Sequence, residues 1–201
     1  MKNVIKTILI LITTISCKAQ TKIIDIDDDN GDQIYGAYYK DTNNQLDAFV
    51  GTYIYTNGNE TLKIVFQKKI MSTRLSHQFY SDMIIGEYQH IINGVEVRNT
   101  LNKLNVNYTD QELHSISGNM LIKGTELGCP ECGATEKRLR CGIIDDVSNS
   151  LGWAQIRRII VNGQPAIRFN LYWEMSARRE NDPPQKATSP YQGKDYIMIK
   201  Q

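Results

Sequence analysis

Three Asn-Gly pairs, Asn57-Gly58, Asn93-Gly94 and Asn162-Gly163, each join two stretches that are rich in β-branched and aromatic residues. Asn and Gly tolerate the positive φ angles of the two-residue turns between antiparallel strands, so each pair predicts a β-hairpin. Within Pro165–Met175, every second residue from Ile167 onward is apolar and the residues between them are mostly polar. This period of two predicts a sheet with one buried face and one exposed face.

The same reasoning predicts about nine strands and no helix of more than two turns. Because short turns join most of these strands, we expect antiparallel pairing rather than a βαβ arrangement. The predicted fold is therefore all-β, either a closed up-and-down barrel or an open β-sandwich. The predicted strands are Asp47–Thr56, Thr61–Gln67, Met83–Ile92, Val95–Leu101, Ser115–Lys123, Lys137–Ile144, Trp153–Val161, Pro165–Met175 and Lys194–Lys200.

The first 16 residues have the design of a secretory signal peptide. Lys2 and Lys6 precede the apolar run Ile8–Ile12, which is too short to span a bilayer. Thr14–Cys17 resembles a bacterial lipobox, although Thr14 stands where an aliphatic residue is usual. Cleavage before Cys17 would leave a lipid on that cysteine, whereas cleavage after Ala19 would not. We favour the lipid, which predicts a protein of the cell envelope, outside the cytoplasm and anchored to a membrane.

The remaining chain divides into a linker and one domain. The acidic stretch 17–36 is predicted to be a hydrated linker behind the lipid anchor, and 37–201 is long enough for a single β domain. Removing Lys2 and Lys6 from the 23 basic residues leaves 21 against 22 acidic ones, a balance that does not attract nucleic acid. Basic pairs such as Arg157-Arg158 are interpreted as solvated surface.

The segment Leu46–Tyr53 resembles the opening strand of the lipocalin and fatty-acid-binding protein superfamily, the calycins. In that motif a helical turn precedes Phe-x-Gly-x-Trp, which corresponds here to Phe49, Gly51 and Tyr53, with Tyr53 in place of Trp. The resemblance implies that Gly51 leaves room where the first strand crosses the closed end of a barrel, and that the aromatic residue plugs that end. It also implies either a small hydrophobic ligand inside the barrel or an interior packed with side chains.

A wider set of features is similar to an uncharacterised family of Bacteroidota lipoproteins. The set comprises the lipobox ending in Cys17, the segment Gly36–Asn44, the opening strand and the Cys129–Cys132 motif. This resemblance implies a location and no activity.

The three cysteines after Cys17 could bind zinc, form a disulfide or stay reduced. Cys129-Pro-Glu-Cys132 followed by Gly has the shape of a zinc knuckle, but only Cys141 lies nearby in the sequence, and a structural zinc needs four ligands. Outside the cytoplasm a disulfide is commoner. It would join Cys129 to Cys132 or Cys141 to one of them, and three reduced thiols are the remaining alternative. We predict no cofactor.

Catalytic motifs are not evident in the sequence. It contains neither Gly-x-Ser-x-Gly nor His-Glu-x-x-His, and His77, His90 and His114 are scattered. We therefore expect a non-enzymatic protein. Two functions stay open: a module that binds a small hydrophobic molecule, and a structural or protein-interaction lipoprotein with a filled barrel that contacts another envelope protein.

Overall fold

The computed structural model describes residues 21–28, 34–74, 79–145, 150–172 and 193–201. This part of the chain is almost entirely strand, as the alternation predicted, with short 3-10 turns at Ile26–Asp28, Leu46–Phe49, Leu101–Lys103 and Gln111–Leu113. The strands are β1 Ile23–Asp25, β2 Tyr38–Lys40, β3 Gly51–Asn57, β4 Glu60–Arg74, β5 Phe79–Ile92, β6 Val95–Asn99, β7 Ile116–Lys123, β8 Lys137–Asp145, β9 Ser150–Val161, β10 Gln164–Tyr172 and β11 Asp195–Lys200.

Eight of these strands form a closed antiparallel barrel. Apart from β6, which is set aside, β3 to β11 pair in chain order, each antiparallel to the next. The barrel closes where β11 pairs with β3, with Ile199 opposite Ile54 and Lys200 opposite Tyr53. The prediction of an up-and-down barrel is confirmed, and the closure excludes the alternative of an open sandwich.

Two strands are longer than predicted. β4 extends to Arg74 and β5 begins at Phe79, beyond the predicted Thr61–Gln67 and Met83–Ile92. The reason is a β-bulge between Lys69 and Ser72, where the pairing register shifts and Met71 has φ of 52°. A bulge interrupts the alternation of side chains, so the sequence pattern ends before the strand does.

The edge of β5 that faces β7 is shared by three strands. β2 pairs in parallel with the start of β5, at Tyr80 and Ser81. β7 pairs with its middle from Ile84 to Gly86, and β6 pairs with its end. The short strands β2 and β6 therefore cover the parts of β5 that the barrel partner β7 does not reach.

Buried Asp82 fixes β2 and its following turn to the bulge. Its Oδ1 accepts hydrogen bonds from the Tyr38 hydroxyl at 2.5 Å and the Met71 amide at 2.9 Å, and its Oδ2 accepts one from the Asp41 amide at 3.0 Å. Burial and the neighbouring Asp82 carboxylate raise the pKa of Tyr38 above its ordinary range. The added N-terminal strands are thus held to the barrel by a satisfied polar network as well as by apolar packing.

Part of the stretch predicted to be a linker forms regular structure. Ile23–Asp25 pairs with β2, and Ile26 is buried against the core. Asp27 forms ion pairs with Lys123 at 3.2 Å and Lys137 at 2.6 Å, which together hold its pKa below the ordinary value despite partial desolvation. The structure therefore differs from a hydrated spacer over 23–28, because Ile26 is buried in the core and Ile24 packs against it.

Candidate functional site

The predicted closing motif lies at one end of the barrel. The carboxylate of Asp41 accepts hydrogen bonds from the amides of Gln45 and Leu46 at 2.7 and 2.9 Å, which orders the chain that enters the 3-10 turn Leu46–Phe49. Phe49 and Tyr53 are both buried in the core. A helical turn thus precedes β3, as the resemblance implied, and the Asp41 carboxylate binds the backbone amides at its start.

Gly51, at the start of β3, lies beneath the side chain of Lys200 from β11. Its φ is +143°, and a Cβ atom there would lie 2.7 Å from Cε of Lys200. The Lys200 ammonium lies 5.7 Å from the centre of the Tyr53 ring, and the Arg158 guanidinium lies 5.7 Å from the centre of the Phe49 ring. Desolvation raises the pKa of Tyr53. These contacts bring Phe49, Gly51 and Tyr53 together under basic side chains of β9 and β11.

The barrel interior is crossed by packed aromatic rings. The ring centres of Tyr53 and Phe66 are 5.9 Å apart, and those of Phe66 and Phe169 are 6.3 Å apart. Gly86 makes room for this row, because a Cβ atom at that position would lie 2.7 Å from the Phe66 ring and 3.2 Å from Cβ of Ile116. The aromatic residues of the interior therefore fill it rather than border an open chamber.

A small apolar cavity remains inside the barrel, and Phe49 is not among its lining residues. Its volume is about 20 Å³, close to what one water molecule requires and far below the several hundred Å³ of a typical ligand pocket. No polar surface lines it. Its lining residues are Leu62, Ile64, Tyr88, Ile116, Ile143, Phe169 and Leu171.

The cysteines occupy two different environments. Cys129 and Cys132 form a disulfide in the loop that joins β7 to β8, at residues 124–136. Cys141 lies on β8 with its side chain fully buried, and this burial raises the pKa of its thiol. Of the open alternatives, the structure contains the bridge within Cys-x-x-Cys and a buried free thiol. Cys17 lies outside the described residues.

The structure contains a buried pair of a carboxylate and an imidazole, Glu87 and His114, that the sequence did not predict. The Glu87 carboxylate lies 2.9 Å from Nδ1 of His114 and accepts a hydrogen bond from the Ser115 amide at 3.2 Å. Nε2 of His114 lies 3.2 Å from the side-chain oxygen of Gln111. Glu87 and His114 are both fully buried, so neither side chain offers a surface to a substrate in this structure. No local signal could reveal this pair, because 27 residues separate its members.

The other histidines do not extend this cluster. His90 lies 2.8 Å from Glu60 and is almost wholly buried, whereas His77 lies outside the described residues. Within the described ranges, no group of three or more His, Cys, Asp or Glu residues is placed to hold a metal ion. None of the helical segments described is long and apolar enough to cross a membrane.

Comparison with known proteins gives a family and no activity. Neither the curated proteins nor the solved structures include a significant match to this chain. A family model matches residues 1–201, and the chain thus belongs to DUF6705, a family of unknown function.

Proposed function

We propose that this chain is a non-enzymatic, exported protein of the bacterial envelope, lipid-anchored at Cys17, whose barrel acts as a rigid structural or protein-interaction module. The observation that carries the proposal is the filled interior, where Tyr53, Phe66 and Phe169 leave a cavity of about 20 Å³. A carrier of hydrophobic molecules needs a pocket of roughly 300–1,000 Å³. The packing therefore favours the filled-barrel function over the ligand-binding one.

The chemistry of the described residues also supports a role without catalysis. The free thiol of Cys141 is buried and its pKa is raised, so it is a poor nucleophile. His114 and Glu87 contact each other in the buried interior of the protein, where a substrate does not reach them. Each of these potentially reactive groups is buried and packed within the protein.

Anchoring at Cys17 would place the barrel close to the membrane. β1 begins at Ile23, and an extended chain spans at most about 3.5 Å per residue, so Ile23 would lie no more than about 20 Å from a lipid on Cys17. A protein held at this distance presents its outer wall to other envelope proteins. This supports a partner of the same compartment.

A second candidate function is the binding of a small hydrophobic molecule, and one observation favours it: the lining of the small cavity is wholly apolar. A hydrophobic ligand of more than a few atoms would have to displace side chains such as Phe169 or Leu171. This alternative therefore requires a rearranged barrel.

Native mass spectrometry of the protein from its own envelope tests the proposal. We expect a mature chain that begins at Cys17, carries a diacylglyceryl group and holds no co-purified small molecule. A Cys17→Ala variant should lose the lipid and leave the membrane fraction while its fold is unchanged. A wild-type chain that begins at Gln20 without lipid would contradict the anchor, and a stoichiometric lipophilic ligand would contradict the filled barrel.

A further inference from the structure

A polar pocket of about 240 Å³ lies on the outer wall of the barrel, beneath the loop 124–136. Its wall is formed by outward side chains of three neighbouring strands, among them Arg138 of β8, Arg157 of β9 and Arg168 of β10, and its cover by loop residues that include Cys129 and Glu131. We infer that this pocket binds a small organic carboxylate. The inference goes beyond the proposed function and does not depend on it, because the pocket lies outside the filled interior.

The strand register explains why the arginines meet here. Arg157 is directly opposite Arg168, and the next outward pair along the same strands is Gln155 opposite Asn170. The residues between them, such as Ile156 and Phe169, point into the barrel and are buried. The pattern that makes the barrel interior apolar therefore places these polar and cationic side chains on one outer patch.

Arg138 is a buried cation whose described hydrogen bonds all go to neutral groups, while the Glu136 carboxylate lies near enough to interact with it electrostatically. Its side chain is only 2% exposed. The guanidinium donates to the side-chain oxygen of Gln155 and to the backbone carbonyls of Gly124 and Glu126. Its Nε has no hydrogen-bond partner among the described residues. Burying a guanidinium without a carboxylate hydrogen-bonded to it is costly, so an anion in the adjoining pocket would supply a direct contact that the described protein groups do not.

The other two arginines are already paired, and they share one further carboxylate. Arg157 holds Glu136 through contacts of 2.6 and 3.1 Å, and Nε of Arg168 donates to Asp195 at 2.7 Å. The remaining Nη1 atoms of both arginines reach the same oxygen of Glu131, at 3.3 and 3.1 Å. A carboxylate therefore fits between the two guanidiniums.

Glu131 is a weak and replaceable occupant of this position. Its side chain is 49% exposed, and its two contacts, at 3.3 and 3.1 Å, are longer than the shortest contacts of the Glu136 and Asp195 pairs, which are both 2.6 Å. Exposed ion pairs of this kind contribute little free energy. If Glu131 swings away, three guanidiniums face the two carboxylates of Glu136 and Asp195, and the net positive charge that results selects an anion.

The ligand class follows from the size and the donors of the pocket. A volume of about 240 Å³ lies below the range of drug-sized pockets, which suits an acid with a few heavy atoms. Planar guanidiniums match the two oxygens of a carboxylate. The side-chain amide of Asn170 lines the pocket and has no hydrogen-bond partner among the described residues, so it can donate to the body of the ligand.

Isothermal titration of the full mature chain with succinate, and separately with inorganic phosphate, tests this inference. We expect saturable binding of succinate that is tighter than that of phosphate. Asn170→Asp adds a negative charge without removing a described contact, and it should weaken succinate binding by about tenfold or more. Glu131→Gln removes the internal competitor and should strengthen binding by about two- to fivefold.

Two further variants complete the test. Arg138→Gln should abolish measurable binding, but it also removes the donors that hold the loop carbonyls, which is why Asn170→Asp carries the decisive comparison. Arg158→Gln is the matched control, because Arg158 lies on the same strand but over the Phe49 ring, and its affinity should equal that of the wild type. Absence of succinate binding in both the wild type and Glu131→Gln, equal affinity in Asn170→Asp, or a preference for phosphate would overturn the inference.

Discussion

Replacing Gly86 by alanine probes how tightly the barrel interior is packed. A Cβ atom at position 86 would lie 2.7 Å from the Phe66 ring and 3.2 Å from Cβ of Ile116, both closer than van der Waals contact allows. Movement of the Phe66 ring is restricted, because the ring centres of Tyr53 and Phe169 lie only 5.9 and 6.3 Å from its own. We therefore expect Gly86→Ala to lower the free energy of unfolding by about 1–3 kcal/mol, the usual cost of overpacking.

Gly142→Ala is the matched control for this substitution. Gly142 also lies within a barrel strand, but its Cβ would meet only a backbone oxygen of Ser117, at an ordinary 3.6 Å. Alanine restricts the unfolded chain, so this change should be neutral or stabilise the protein by about 0.4–1 kcal/mol.

Urea denaturation of both variants measures the difference in unfolding free energy. The double variant Gly86→Ala with Phe66→Leu should recover part of the loss, because the smaller side chain vacates the contested space. A Gly86→Ala protein as stable as Gly142→Ala would refute the reasoning, since it would mean that the Phe66 ring has an empty space to enter.

Three further predictions concern the buried thiol and two titrating groups. Cys141→Ser should lower the free energy of unfolding by about 1–3 kcal/mol more than Cys141→Ala in denaturant melts, because the serine hydroxyl has no partner in the apolar core; equal stabilities would contradict this. Tyr38 has a raised pKa, so stability should fall as the pH rises above the ordinary tyrosine value of about 10, where only the unfolded chain ionises, and Tyr38→Phe should flatten that alkaline slope. The pKa of Glu136 is lowered, mainly by the hydrogen bond from Arg157. The ionised carboxylate therefore stabilises the protein above its ordinary pKa of about 4.5, and this stabilisation is lost as the pH falls through the pKa of the folded state. In thermal melts at a series of acidic pH values, Glu136→Gln should make the midpoint depend less on pH.

The barrel could be predicted from the sequence because its signals are local. Asn93-Gly94 and Asn162-Gly163 each mark a hairpin that the structure contains, and the alternation over Gln164–Tyr172 marks a strand with one buried face. The short connections predicted antiparallel neighbours but left a closed barrel and an open sandwich as alternatives, and one further pairing decides between them. That pairing is β11 with β3.

The features that escaped prediction depend on contacts between distant residues. The three residues of β1 are too few to show a period, and they become a strand only because β2 lies beside them. The arginines of β8, β9 and β10 look like ordinary surface residues until the strand register brings Arg157 opposite Arg168. Glu87 and His114 meet for the same reason, because β5 pairs with β7, which directly follows His114 in the chain.

The filled interior is tested most directly by titrating the protein with a fluorescent fatty acid and measuring saturable binding. The wild type should show none, because its cavity of about 20 Å³ is too small for an acyl chain. A Phe169→Ala variant, which removes one ring of the aromatic row, provides the comparison and should gain binding of a small apolar probe such as benzene if it remains folded. Stoichiometric, saturable binding of the fatty acid by the wild type would contradict the account.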